Sequence, residues 1–127
     1  MILVDSDVLI AHLRGVPAGH GWLCEARSSG LLAVSALTVT ELVGGMRSDE
    51  RRSVWTLLRA FRTEPVTELI GRRAGEFMRQ YRRNHGAIGT VDYVIAATAE
   101  LLGADLATWN TGHFPMWYGL RPPFVVG

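Results

Sequence analysis

Three carboxylates, Asp5, Glu41 and Asp92, each stand where an apolar segment of this chain meets a turn or belongs to a short helix. Asp5 directly follows Met1-Ile2-Leu3-Val4, a short apolar run that reads as a core strand, and precedes the helical pattern Val8-Leu9-Ile10 to Leu13. It therefore sits at the carboxyl end of a strand, the edge outside which parallel α/β sheets bind ligands. Asp7, two residues on, is placed to share that edge. Asp92 falls in the first turn of a helix, where unpaired N–H groups and the macrodipole favour an anion by roughly 0.3 to 1 kcal/mol. Glu41 projects from the short helix Thr40-Glu41-Leu42-Val43, whose apolar members must face the core, and a polar residue in that frame needs a partner.

Taken singly, each acid has an ordinary explanation: a turn former, an exposed residue, a helix-start charge. Brought together by a sheet they would raise one another's pKa and destabilise the fold unless a cation sat among them. Magnesium or manganese suits that need, because hard divalent ions prefer carboxylate and water oxygens and use few protein ligands. The chemistry implied is metal-assisted hydrolysis of a phosphodiester, one ion activating water and a second, if present, stabilising the leaving oxygen. Asp105 is left out of the site. It precedes the last strand rather than following it, which puts it on the order of 10 Å or more from Asp5 in a parallel sheet. Thr108, Asn110 and, after a turn, His113 leave that strand at the correct end. Asn110 offers a neutral oxygen. His113 has no second histidine spaced for a metal, so packing is its expected role, with phosphate contact or base catalysis as the alternatives.

The elements that must position these residues alternate between strand and helix, which means a parallel sheet. Pro17 to Ser28 reads as a helix with Pro near its start, Leu31 to Val34 as a strand, and Ser35 as the cap of a helix that Gly44-Gly45 ends. Ser48 and Asp49 restart a helix with Val54, Leu57, Leu58 and Phe61 on its apolar face and Arg51, Arg52, Arg59 and Arg62 mostly toward water. A third strand is expected around Pro65-Val66. The helix from Thr67 to about His85 carries Ile70, Ala74, Phe77 and Tyr81 on one stripe and Arg72, Arg79 and Arg83 opposite. Val91 to Leu102 is a helix rich in small residues that permit close approach to a sheet, and Leu106-Ala107-Thr108 is the final strand.

Length and composition agree with one α/β domain over residues 1–127, a central parallel sheet flanked by helices. The 127 residues are 48% hydrophobic, without repeat or linker. No apolar stretch approaches the roughly 20 residues needed to cross a bilayer, and the start lacks a basic leader, so a cytoplasmic address is expected. Cys24 is alone, which removes any disulfide framework or Cys-rich zinc site within the chain. All thirteen basic residues are arginine. Arginine's planar fork suits phosphate, although a GC-rich genome gives the same bias. The absence of lysine excludes a Walker A loop and a Schiff-base enzyme.

Four segments together resemble a known family: Ile2-Leu3-Val4-Asp5-Ser6-Asp7-Val8-Leu9-Ile10, Glu41-Leu42-Val43-Gly44-Gly45, Asp92-Tyr93-Val94-Ile95-Ala96-Ala97-Thr98-Ala99 and Ala107-Thr108-Trp109-Asn110-Thr111-Gly112-His113-Phe114. In that order and spacing the chain resembles a PIN domain and, more narrowly, the VapC toxins of type II toxin–antitoxin systems. The resemblance implies a Mg²⁺- or Mn²⁺-dependent endoribonuclease acting on RNA, usually a homodimer, held inactive by a cognate VapB antitoxin whose C-terminal segment enters the acidic groove. Matched position by position, Asp5, Glu41 and Asp92 take the first three acidic ligand positions. Asn110 takes the fourth, often an Asp, which removes one negative charge and leaves single-metal occupancy open without implying an inactive enzyme. Ser6 and Thr108, beside the acids, are placed to hydrogen-bond the carboxylates or metal waters. The competing reading is a PIN-fold RNA-binding domain that has lost catalysis, motivated by Asn110 and the arginine face. A phospho-acceptor with Asp5 as nucleophile fails for want of the lysine such families use.

Overall fold

The computed structural model describes residues 1–124. Strands β1 (Ile2–Val4), β2 (Leu32–Ser35), β3 (Arg62–Glu64) and β4 (Asp105–Ala107) pair in the order β3-β2-β1-β4, every pair parallel. Helices α1 (Ser6–Leu13), α2 (Pro17–Ser29), α3 (Ala36–Gly45), α4 (Arg51–Leu58), α5 (Glu68–Tyr81) and α6 (Thr90–Leu102) supply the connections. Strands covered on both faces need apolar side chains at successive positions, and β1 and β2 have them. Leu3, Ala33 and Leu106 point into one core with Ile70, Ala74 and Phe77 of α5 and the small residues of α6. Val4, Leu32, Val34 and Ala107 point into the other, against Val8, Leu9, Leu23, Leu42 and Val54 of α1 to α4.

The strand order carries the functional consequence. From β1 the chain steps to β2 and then β3 on one side, and returns to place β4 on the other side of β1. Connections leaving β1 and β4 therefore diverge, and a crevice opens at their carboxyl ends, the topological switch point of an open α/β sheet. Asp105 pairs with Ile2 at the opposite edge, as its place in the sequence requires.

Local chemistry explains most element ends. The Ser35 hydroxyl accepts from the Leu37 N–H at 3.1 Å, and the Thr67 hydroxyl accepts from the Ile70 N–H at 3.2 Å, so α3 and α5 are each capped by a side chain. Gly103 ends α6 with φ of +61°, a left-handed conformation that a Cβ would penalise. Arg73 on α5 donates through two nitrogens to Glu100 on α6 at 3.0 and 3.1 Å and lies over the Phe77 ring. These groups are solvent-accessible, so the Phe77 packing beneath them carries more of the stability.

Several boundaries differ from expectation: the helix restarted at Ser48 ends at Leu58, so Phe61 lies beyond it and Arg62 belongs to β3, and β2 and β4 each shift by one residue. The third strand is Arg62–Glu64, not Pro65-Val66: proline has no N–H for the ladder, and at a sheet edge a polar strand with one buried residue, Glu64, is sufficient. Helix α5 stops at Tyr81 rather than His85, and the Tyr81 carbonyl instead accepts from the N–H groups of Asn84 and His85 as the chain turns. Helix α1 begins at Ser6, two residues early, because Asp5 caps it.

Truncating Phe77, 3% exposed, to Ala is expected to cost about 3 to 5 kcal/mol. Thr67→Ala should cost only about 1 kcal/mol. Urea unfolding followed by far-UV circular dichroism would measure both, and equal losses would contradict this division between core and cap.

Candidate metal centre

At the switch point the chain has crowded its acids. Asp5, 5% exposed, continues β1 beyond its last pair: its N–H donates to the Ala107 carbonyl at 2.9 Å. Its two carboxylate oxygens are both bound, Oδ1 by the Ser6 N–H at 2.9 Å and Oδ2 by the Thr108 hydroxyl at 2.8 Å. Thr108 is fully buried, so this bond is shielded from water. Burial pushes the Asp5 carboxyl from its ordinary 3.8 up to about 6; the neighbouring Asp7 adds to the rise, and the Thr108 and Ser6 bonds oppose it.

Asp7 lies in the first turn of α1 and reaches across the crevice. Its Oδ2 accepts from the backbone N–H groups of Trp109 and Asn110 at 2.9 and 3.2 Å and from the Thr108 hydroxyl at 3.3 Å. Those bonds hold down the turn that leaves β4. Burial raises its pKa, with the Trp109 bond as the largest opposing influence. Its other oxygen, Oδ1, is buried with no hydrogen-bond partner.

Glu41 and Asp92 complete the cluster from two further helices. Glu41 is an exposed residue of α3, while its apolar neighbour Leu42 is 3% exposed; the acid therefore flanks the core rather than entering it, contrary to the frame expected from its neighbours. Partial loss of solvent raises its pKa, a hydrogen bond from Ser6 lowers it, and the charges of Asp92 and Asp7 raise it further. Asp92 sits in the first turn of α6, where its Oδ2 accepts from the Gly89 N–H at 3.1 Å. The same oxygen lies 3.1 Å from His113 Nδ1. His113 is thus in contact with an acid of the site, not engaged in packing alone.

Asn110 is held to the centre by its backbone. Its N–H lies 3.2 Å from Asp7 Oδ2 and 3.1 Å from the Thr108 hydroxyl, and among the described residues its side chain makes no hydrogen bond to the acids. Sequence reasoning did not find Asp7's anchoring role or the His113–Asp92 contact. The i, i+2 spacing of Asp5 and Asp7 was visible, but their partners are about a hundred residues away along the chain.

The donor set suits a hard divalent ion. Asp7 and Glu41 raise the pKa of Asp5, Asp92 and Asp7 raise that of Glu41, and one buried oxygen beside them, Asp7 Oδ1, lacks a donor. Among the described residues no group of three or more His, Cys, Asp or Glu side chains is placed to hold a metal ion as a ready-made cage. An ion held by few protein ligands and several waters needs no such cage.

A parallel sheet with acids gathered at its switch point defines a class of site, and the comparisons name it. The PIN domain model matches residues 2–114, and the chain belongs to that family. Over 126 residues it is 60% identical to ribonuclease VapC10 of Mycobacterium tuberculosis, covering 99% of this chain and 95% of that protein. Ribonuclease VapC19 of the same organism is 42% identical over 125 residues, covering 98% and 100%. Among solved structures, a chain of a toxin–antitoxin complex from Klebsiella pneumoniae superposes with a TM-score of 0.80 at 23% identity, covering 99% of this chain and 100% of that one. At that identity the likeness is one of fold.

The raised Asp5 pKa fixes a direction of pH dependence. Below its ordinary 3.8 both folded and unfolded chains hold the proton; between there and about 6 the unfolded chain releases it first, so folding weakens as pH rises. The loss above that window approaches about 3 kcal/mol for metal-free protein. Urea midpoints in EDTA should therefore fall for wild type between pH 5 and pH 7.5 and change less for Asp5→Asn, with Mg²⁺ restoring wild type alone. Parallel pH profiles for the two proteins would contradict the burial penalty.

Proposed function

We propose that this chain is the toxin of a type II toxin–antitoxin pair, an endoribonuclease that hydrolyses RNA phosphodiester bonds with Mg²⁺ or Mn²⁺ and is inhibited by a cognate VapB-type antitoxin. The observation that carries the reading is the acid cluster at the switch point, in a chain 60% identical to a protein named as a ribonuclease. Asp5, Glu41 and Asp92 are the proposed metal ligands, with Asn110 as a neutral fourth corner. The whole chain, 1–127, is taken as one PIN domain that pairs with a second copy. No helix among the described residues is long and apolar enough to cross a membrane, which accords with the cytoplasmic site of action proposed here.

Each residue contributes a separable task. Thr108 and the Ser6 N–H fix both oxygens of Asp5, so the carboxylate cannot rotate away. Asp7 anchors the turn bearing Asn110. Gly89 and His113 engage Oδ2 of Asp92, which leaves Oδ1 for a metal or substrate. A bound divalent ion would offset the crowded negative charge, polarise the scissile phosphate and activate water against it. The acidic groove would equally accept a cationic antitoxin side chain, which explains inhibition by occupation.

Protein freed of its antitoxin should cleave RNA with Mg²⁺ or Mn²⁺ and not in EDTA. Asp5→Ala and Asp92→Asn are expected to lower the rate by more than about 100-fold, and His113→Ala, which removes a group orienting a ligand, by about 10- to 100-fold. Gel assays on a folded RNA would measure this. Equal cleavage by wild type and both acid variants would sink the proposal. Metal-independent RNA binding without product under any divalent ion would favour the inactive RNA-binding domain instead.

A further inference from the structure

Helix α4 has a face that the acid site does not use. Its inner side, Val54, Leu57 and Leu58, is buried in the core, which turns Arg51, Trp55 and the C-cap residue Arg59, still in helical conformation, outward along one helix line at i, i+4 and i+8. Trp55 is 45% exposed, a large apolar ring left in water. Neighbouring cations are neutralised, Arg14 by Glu50 and Arg62 by Glu64, whereas Arg51, Arg52 and Arg59 have no ion pair among the described residues. These arginines and Trp55 line an open concavity of about 600 Å³ in which Asp49 is the one carboxylate. Three guanidiniums therefore meet one negative charge.

The chemistry of that face selects its occupant. Guanidiniums free of carboxylates bind phosphate bidentately. An exposed indole between two of them supplies what a nucleobase needs, a stacking surface between phosphate contacts. An acidic peptide would satisfy the arginines but gives no reason for the ring. The location also fits. Glu41 and Glu50 line one small cleft beside α1 and α3, and Glu50 immediately precedes Arg51, so the arginine line begins where the Glu41 flank of the acid site ends. Arg51 to Arg59 spans about 12 Å of helix axis, room for more than one nucleotide.

We infer that the Arg51–Trp55–Arg59 face of α4 binds single-stranded RNA flanking the cleaved bond, with phosphates on the guanidiniums and a base stacked on the indole. The inference rests on the ribonuclease reading for its substrate class, and its test is made without cleavage. Full-length protein freed of antitoxin is titrated in EDTA into a fluorescein-labelled, unstructured 15-nucleotide RNA, with anisotropy read from about 50 to 200 mM salt. Arg51→Gln/Arg59→Gln should weaken binding at least about tenfold at low salt and flatten the salt dependence by roughly one to one and a half in log–log slope. Trp55→Ala should weaken it by about five- to 100-fold at every salt concentration, and Trp55→Phe should recover most of the loss. The substituted side chains are exposed, so thermal midpoints near wild type are expected to accompany these changes. Unchanged affinity and slope in the arginine variant would overturn the inference. So would absence of RNA binding by wild type, or a defect confined to antitoxin binding. Wild-type binding through this face without cleavage under Mg²⁺ or Mn²⁺ would instead count against the ribonuclease reading and leave the face standing.

Discussion

The burial of the Asp5 carboxylate beside Asp7 is the constraint around which the rest of this molecule is arranged. Beta-strand β1 is three residues long, and the residue that follows it is an acid with almost no solvent. Such a group is costly unless its oxygens are bound, and both are. One bond comes from the helix start that Asp5 itself caps. The other comes from Thr108, which occupies its place only because β4 pairs with β1 rather than adding to the far edge of the sheet. Strand order, helix start and acid orientation are therefore one solution to a single electrostatic problem. The residual penalty, visible as a pKa pushed up to about 6, is what a cation would relieve.

The near-zero net charge conceals a separation of charge. Formal charge is +1, yet acids collect at the switch point while Arg51, Arg52 and Arg59 collect along and just beyond α4 with no ion pair among the described residues. A polyanion meets repulsion at the first surface unless a metal is present, and attraction at the second whether or not one is. Such a division lets binding and chemistry depend on different groups.

Much of this was legible in the sequence because it is local. The Ser35 cap, the Ile70-Ala74-Phe77 stripe, the small residues of α6 and the apolar runs of β1 and β2 each follow from spacing within about a dozen residues. The parallel sheet followed from their alternation. What was not legible depends on contacts between distant segments or on edges. The β3 assignment slipped by a few residues because an edge strand needs no apolar run, so Arg62-Thr63-Glu64 carried no signal while Val66 did. Glu41 was read as an acid in an apolar frame, yet helical geometry places it on the exposed side, with Leu42 taking the core. His113 was expected to pack, and its approach to Asp92 depends on how the turn after β4 closes over α6.

That turn also bears on the neutral residue at position 110. Its backbone N–H already donates to Asp7 Oδ2, an oxygen that accepts from Trp109 and Thr108 as well. A carboxylate at 110 would bring another negative charge to the same turn, beside Asp7, whose pKa burial has raised and whose Oδ1 has no donor. Like charges that close raise one another's proton affinity and weaken the backbone bonds that Asp7 makes. Asparagine adds no charge to that repulsion. The bonds of Asp5 and Asp92 to Thr108, Ser6, Gly89 and His113 do not involve the Asn110 side chain. On this geometry the two ends of the acid cluster are unequal. The side bounded by Asp5, Glu41 and Asp92 presents three carboxylates, and the side bounded by Asp7 and Asn110 presents one, whose Oδ2 is occupied by the N–H groups of Trp109 and Asn110.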